Sequence, residues 1–210
     1  MNQSRSGGAS LSGSEQIIVS LAGMWKATVT VAVRGESSNL AARAFVAQME
    51  GRAGTVLVPK WDKYRPRNIN GRQFSQALAV GYDAAREDEF NFDLSGFGQE
   101  ETPHATVSGS APLGATQIAL NLLDGEGPRP GHYFGIGQQI YRCQQVWQEN
   151  VGDPTIVQFW PRLRAPAPSG TTAIIDRPVC LMRFATDDTG DIALSRAGSG
   201  MVTFDFVEAW

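Results

Sequence analysis

Residues 103–178 constrain this chain most, because a turn signal recurs every few residues and no helical period is sustained across them. Gly114-Ala115-Thr116-Gln117-Ile118 reads as an opening strand, and Gly127-Pro128-Arg129-Pro130-Gly131 as a turn. Strand-like pieces follow at 132–136, 139–147 and 155–160. The run 161–170 carries three prolines and is followed by a last strand near 171–176. Short strands at that spacing fit a small β-barrel. With 210 residues the chain is long enough to bury a core without metal or disulfide support. Its 23 glycines and 11 prolines supply turns without the bias of a disordered or collagen-like chain.

The flanks read differently. Residues 1–14 are rich in Ser and Gly and are expected to be flexible until a partner orders them. Residues 16–21 can form a strand. In 24–33, Trp25, Ala27, Val29, Val31 and Val33 alternate with Lys26, Thr28 and Thr30, the period of a half-buried strand. One helix follows, capped by Ser38 or Asn39 and closed by Gly51. Ala41, Phe45 and Met49, with Leu40 and Ala44 beside them, form its apolar stripe. Further strands are expected at 55–59 and 76–84, and an acidic edge strand at 86–93. Beyond Pro178 come strands at 179–184, 191–195 and 200–208, the last with Val202, Phe204 and Phe206 on one face.

These C-terminal strands are too few to bury an apolar face alone. The expected fold is therefore mainly β. A discontinuous domain of β-sandwich or split-barrel type, 1–102 with 179–210, carries one short helix and is interrupted by a barrel at 103–178. The junctions near Pro103 and Pro178 should then lie close together.

The sequence offers little chemistry. It has no Gly-x-Ser-x-Gly elbow, no phosphate loop and no His-Glu-x-x-His. The glycine-rich run 131–137 lacks the strand-to-helix context of a dinucleotide site. Asp187, Asp188 and Asp191 around Gly190 lack calcium-loop spacing and read as a turn. Cys143 and Cys180, like His104 and His132, have no neighbour at metal-ligand spacing. Two buried thiols are expected, with a disulfide or a zinc site as the alternatives. Lys60, Lys63, Arg65, Arg67 and Arg72, near Trp61 and Tyr64, form either a phosphate-gripping loop or a solvated or subunit-contacting one. The net charge of -3 gives no global drive toward nucleic acid. No cofactor or metal is indicated, and a non-catalytic protein is expected. The apolar segment 17–22 is too short for a secretory leader, and no run approaches the roughly 20 residues of a membrane span, so folding in the cytoplasm is expected.

Several segments together resemble a known family. In the central module these are Gly114-Ala115-Thr116-Gln117-Ile118, Pro130-Gly131-His132-Tyr133-Phe134-Gly135-Ile136-Gly137, Tyr141-Arg142 and Trp160-Pro161-Arg162-Leu163-Arg164. In the flanks they are Gly51-Arg52-Ala53-Gly54-Thr55-Val56-Leu57-Val58-Pro59 and Val202-Thr203-Phe204-Asp205-Phe206. The chain resembles the distal tail proteins of long-tailed bacteriophages and prophages. That resemblance implies a belt domain assembling into a homohexameric ring at the tail tip, with a peripheral galectin-like or OB-like barrel at 103–178. It implies a virion protein, assembled in the bacterial cytoplasm, that joins the tail tube protein to hub or baseplate proteins and lets DNA through its lumen. Glu87, Asp88 and Glu89 are candidates to line that lumen. Hub and tube-completion proteins share the sequence style and stay open as alternatives. So does a carbohydrate-binding host-attachment module, with Trp147, Trp160, Tyr133 and Tyr141 as sugar contacts. A cell-wall hydrolase is the remaining alternative.

Overall fold

The computed structural model describes residues 4–6, 17–19, 23–64, 66, 104–123, 126–189, 193–194 and 199–210. The elements in chain order are β1 Ser4–Ser6, β2 Ile17–Val19, β3 Lys26–Arg34, α1 Gly35–Met49, β4 Val56–Pro59, β5 His104–Val107 and β6 Gln117–Leu122. They continue with β7 Tyr133–Ile136, β8 Gln139–Trp147, β9 Thr155–Trp160, β10 Thr172–Ile174, β11 Val179–Phe184, β12 Ala193–Leu194 and β13 Ser199–Glu208. The chain is mainly β and forms two compact units, one of residues 1–58 with 179–210, the other of residues 59–178. The strand expected at 76–84, the acidic strand at 86–93 and the junction at Pro103 lie outside the described residues.

The first unit is a five-stranded sheet built around β13, with which β3, β11 and β12 all pair antiparallel. Strands β12 and β11 pair with one edge of β13, β3 runs along its other edge for nine residues, and β4 follows β11. Alternation along β13 buries Val202, Phe204, Phe206 and Glu208 on one face, where Met182 and Phe184 of β11 join them. The opposite face carries hydroxyls and a carboxylate: Thr28 Oγ1 donates to Asp205 at 2.6 Å, and the Thr30 and Thr203 hydroxyls lie 3.1 Å apart. A separate pair, β1 with β2, places a short strand inside the Ser/Gly-rich N-terminal segment.

Helix α1 starts earlier than its sequence suggests. Arg34, in extended conformation, is the cap residue, and no side chain caps it directly. Ser38, the expected cap, acts from inside the helix: its hydroxyl accepts the Arg34 N–H at 2.7 Å and donates to the Arg34 carbonyl. The buried stripe is also rotated. Asn39 and Met49 are buried with Ala42, Phe45 and Val46 partly so, while Leu40, Ala41 and Ala44 are exposed. Phe45 fixes this rotation, because its ring meets Phe184 and Phe204 edge-on at centroid distances of 5.9 and 5.3 Å. At the C-terminus Glu50 and Gly51 are both left-handed, and the Gly54 N–H returns to the Met49 carbonyl at 2.7 Å. Gly51 has a second reason to lack a side chain: a Cβ there would stand 2.7 Å from Asp187 Oδ1.

The second unit contains a closed barrel of six antiparallel strands in the order β10-β5-β6-β9-β8-β7. Closure falls on β10, whose three residues pair with β5 on one side and of which Ala173 and Ile174 pair with β7 on the other. Strands β8 and β9 occupy the expected positions. The opening strand does not: β6 begins at Gln117, since Gly114 sits in a turn at φ +81° with its N–H on the Leu163 carbonyl. Before it comes β5, a four-residue strand too short to announce itself by alternation. The barrel interior is apolar and tightly filled, with Ala105, Leu120, Phe134, Val157 and Ala173 fully buried. The chain enters and leaves this unit side by side, for the Lys60 N–H donates to the Pro178 carbonyl at 2.9 Å.

A candidate ligand-binding face on the barrel

Which side chains can meet a ligand follows from which ones the barrel swallows. Phe134, Tyr141 and Phe159, on three adjacent strands, form an aromatic triad inside, with centroids 5.1 to 5.5 Å apart. Tyr141 is 1% exposed, and its hydroxyl accepts the Arg164 N–H at 3.1 Å. Tyr141 is therefore corrected from a sugar contact to a core residue, with its ring sealed and its polar end satisfied. Cys143, two residues on, points the same way and is buried, and desolvation pushes its thiol up to about 12.

Because side chains alternate, burial of Tyr141 and Cys143 sends Arg142 outward. Arg142 stands opposite Tyr133 of β7 on one side and Trp160 of β9 on the other, so the three occupy one row of the outer surface. Directly opposed residues have Cβ atoms only about 4.5–5.5 Å apart. A β-bulge between Cys143 and Gln145 leaves Gln144 unpaired and puts Gln145 opposite Gln158, which in turn opposes Gln117 of β6. The third row holds Trp147 opposite Ile156. Thus Tyr133, Trp160 and Trp147, three of the four aromatic residues singled out from sequence, share one face and border a row of three glutamines.

No family model matches this chain, and no curated protein matches it significantly.

Sequence reading missed Arg142 and the glutamines, although the signal existed in the alternation of β8 itself. It could not show that Gln117, Gln145 and Gln158 lie in one line, since that depends on register across three strands. At one end of the face, Lys60 places its ammonium 4.8 Å from the Tyr133 ring centroid and 3.7 Å from Asp62. These residues, with Tyr64, Arg177 and Pro178, line a small cleft of about 10 Å³, enough for one water. Lys60 is thus already engaged, and of the remaining basic residues in the loop, Arg65, Arg67 and Arg72 lie outside the described residues. Nearby His132 Nδ1 accepts the Arg129 N–H at 3.1 Å, and burial followed by the Arg129 charge lowers its pKa.

Glu87, Asp88 and Glu89, proposed as lumen lining, lie outside the described residues, as do Gly190 and Asp191. Asp187 accepts the Arg52 N–H at 3.0 Å and so ties the loop after α1 to the turn after β11. Cys143 and Cys180 are both buried and are not joined in a disulfide. Among the described residues, no three His, Cys, Asp or Glu side chains gather at a metal-binding distance, and no helix is long and apolar enough to cross a membrane.

Proposed function

We propose that this chain is a non-catalytic structural virion protein of the distal-tail type. In this reading the sheet unit assembles into a ring, a hexamer by analogy with the family it resembles, at the end of a phage tail tube. The ring joins tube protein to hub and host-recognition apparatus and passes DNA without gripping it. The barrel unit is carried as the peripheral galectin-like or OB-like module, although its six strands exceed the five of a standard OB-fold.

One observation carries the proposal. Strand β3 is nine residues long and pairs only with β13 among the described residues, leaving its other edge without a strand. Val31, on its apolar face, is 44% exposed. Long apolar edges invite another chain, and closed symmetric assembly is the ordered way to cover them. The interrupted architecture supports this reading as well, since every strand of the barrel falls in sequence between β4 and β11 of the sheet unit.

The test is sedimentation velocity and negative-stain imaging of the full chain, alone and mixed with the tail-tube protein of its own phage. Rings are expected in at least the mixture, and Val31→Lys should abolish them by placing a charge on the edge. Monomers alone in both samples, or Val31→Lys rings as abundant as those of the parent chain, would overturn the proposal.

A further inference from the structure

We propose that the outer face of β6, β9, β8 and β7 is a binding site for an uncharged oligosaccharide chain. The site is the three-row surface already described: Tyr133, Arg142 and Trp160 in the first row, Gln117, Gln158 and Gln145 in the second, and Trp147 in the third.

Three observations select this ligand. The side-chain amides of Gln117, Gln145 and Gln158 have no hydrogen-bond partner among the described residues, and neither does the Arg142 guanidinium. Each amide offers two donors and an acceptor in one plane, the set that a pair of neighbouring sugar hydroxyls can answer. The aromatic residues flank this polar row on both sides, and aromatic rings stack on the C–H faces of pyranoses. Rows on one face of a strand repeat every ~6.7 Å, so Trp160 and the row of Trp147 stand ~13 Å apart, a span for a chain of several sugars. The face also excludes the competing ligands. With one unpaired cation it cannot neutralise a run of phosphates. The row of three glutamines also interrupts the apolar surface between Trp160 and Trp147, where a protein-docking groove would be continuous.

This site stands apart from ring assembly, because it uses only barrel residues and needs no second copy. A chain that stays monomeric can still bind glycan, and a ring-forming chain can fail to, so the two proposals fail separately.

The experiment applies the full-length chain to an array of bacterial surface glycans with malto-, chito- and manno-oligosaccharides, followed by calorimetry on the strongest neutral ligand. Gln158→Ala and Trp160→Ala should each weaken binding about tenfold or more. Gln145→Ala, a change at an exposed side chain that leaves folding intact, should weaken it severalfold. Val151→Ala, at a fully exposed position in the β8–β9 turn, should leave it unchanged. Absence of any glycan ligand would overturn the proposal, as would parent-like affinity in Gln145→Ala together with Gln158→Ala. Binding of a single-stranded oligonucleotide lost in the same variants would also overturn it.

Discussion

The Trp25 backbone N–H donates to the Glu208 carboxyl at 2.9 Å, and the Glu208 N–H donates back to the Trp25 carbonyl, also at 2.9 Å. Glu208 is 1% exposed, so the end of β13 is locked to the start of β3 by a side chain that water cannot replace. Hydrogen bonds to ionisable groups contribute about 1.5–3 kcal/mol, and a buried donor left alone costs a similar amount. Glu208→Ala should therefore lose about 2–3 kcal/mol in urea denaturation. Glu208→Gln keeps an acceptor oxygen and should lose less than half as much.

Phe45 decides how α1 sits on its sheet. Removing a buried phenylalanine ring costs about 3–5 kcal/mol, and partial exposure of Phe45 reduces that to about 2–3 for Phe45→Ala. Leu40→Ser, at a position 54% exposed, should change the urea midpoint by no more than about 0.5 kcal/mol equivalent. Equal losses in the two variants would mean that the stripe read from sequence, with Leu40 inside, is the correct one.

Burial of Cys143 makes stability fall in alkali. Its thiol is pushed up to about 12 from an ordinary 9.0, so the unfolded chain releases this proton first as pH rises. The contribution is fully present below pH 9 and is lost progressively between about 9 and 12. The local slope approaches about 1.4 kcal/mol per pH unit for one group. Urea titrations from pH 7 to 11 should show a steeper decline for the parent chain than for Cys143→Ala. Alkylation of Cys143 at pH 8 should likewise require unfolding.

His132 has the opposite sign. Burial first, and the Arg129 charge second, hold its pKa below 6.5, against weaker pulls from Asp62 and Glu126. Its stabilising contribution is therefore present above pH 6.5 and is lost as pH falls through the lower folded value. An NMR titration of the imidazole should give a midpoint below 6.5. Arg129→Ala should raise that midpoint, because the Nδ1 contact is to backbone and survives the change.

Much of the architecture was legible from residue order alone. Alternation in β3, β8, β9, β11 and β13 marked those strands, since a half-buried strand must repeat every second residue. The turn-rich centre marked the barrel, and the scarcity of apolar partners in 179–210 marked the interrupted sheet. What one strand cannot disclose is which of its two faces points inward. In Ile140-Tyr141-Arg142-Cys143 an aromatic residue and a cation stand side by side, and only closure of the barrel put Tyr141 in the core and Arg142 on the surface. The same holds between strands. Gln117, Gln145 and Gln158 are scattered in sequence, and a one-residue slip or the absence of the bulge at Gln144 would turn one of them away from the others. Local pattern therefore determined the strands of this protein, while inter-strand register, fixed by packing around Phe134, Tyr141 and Phe159, decided which residues became a surface.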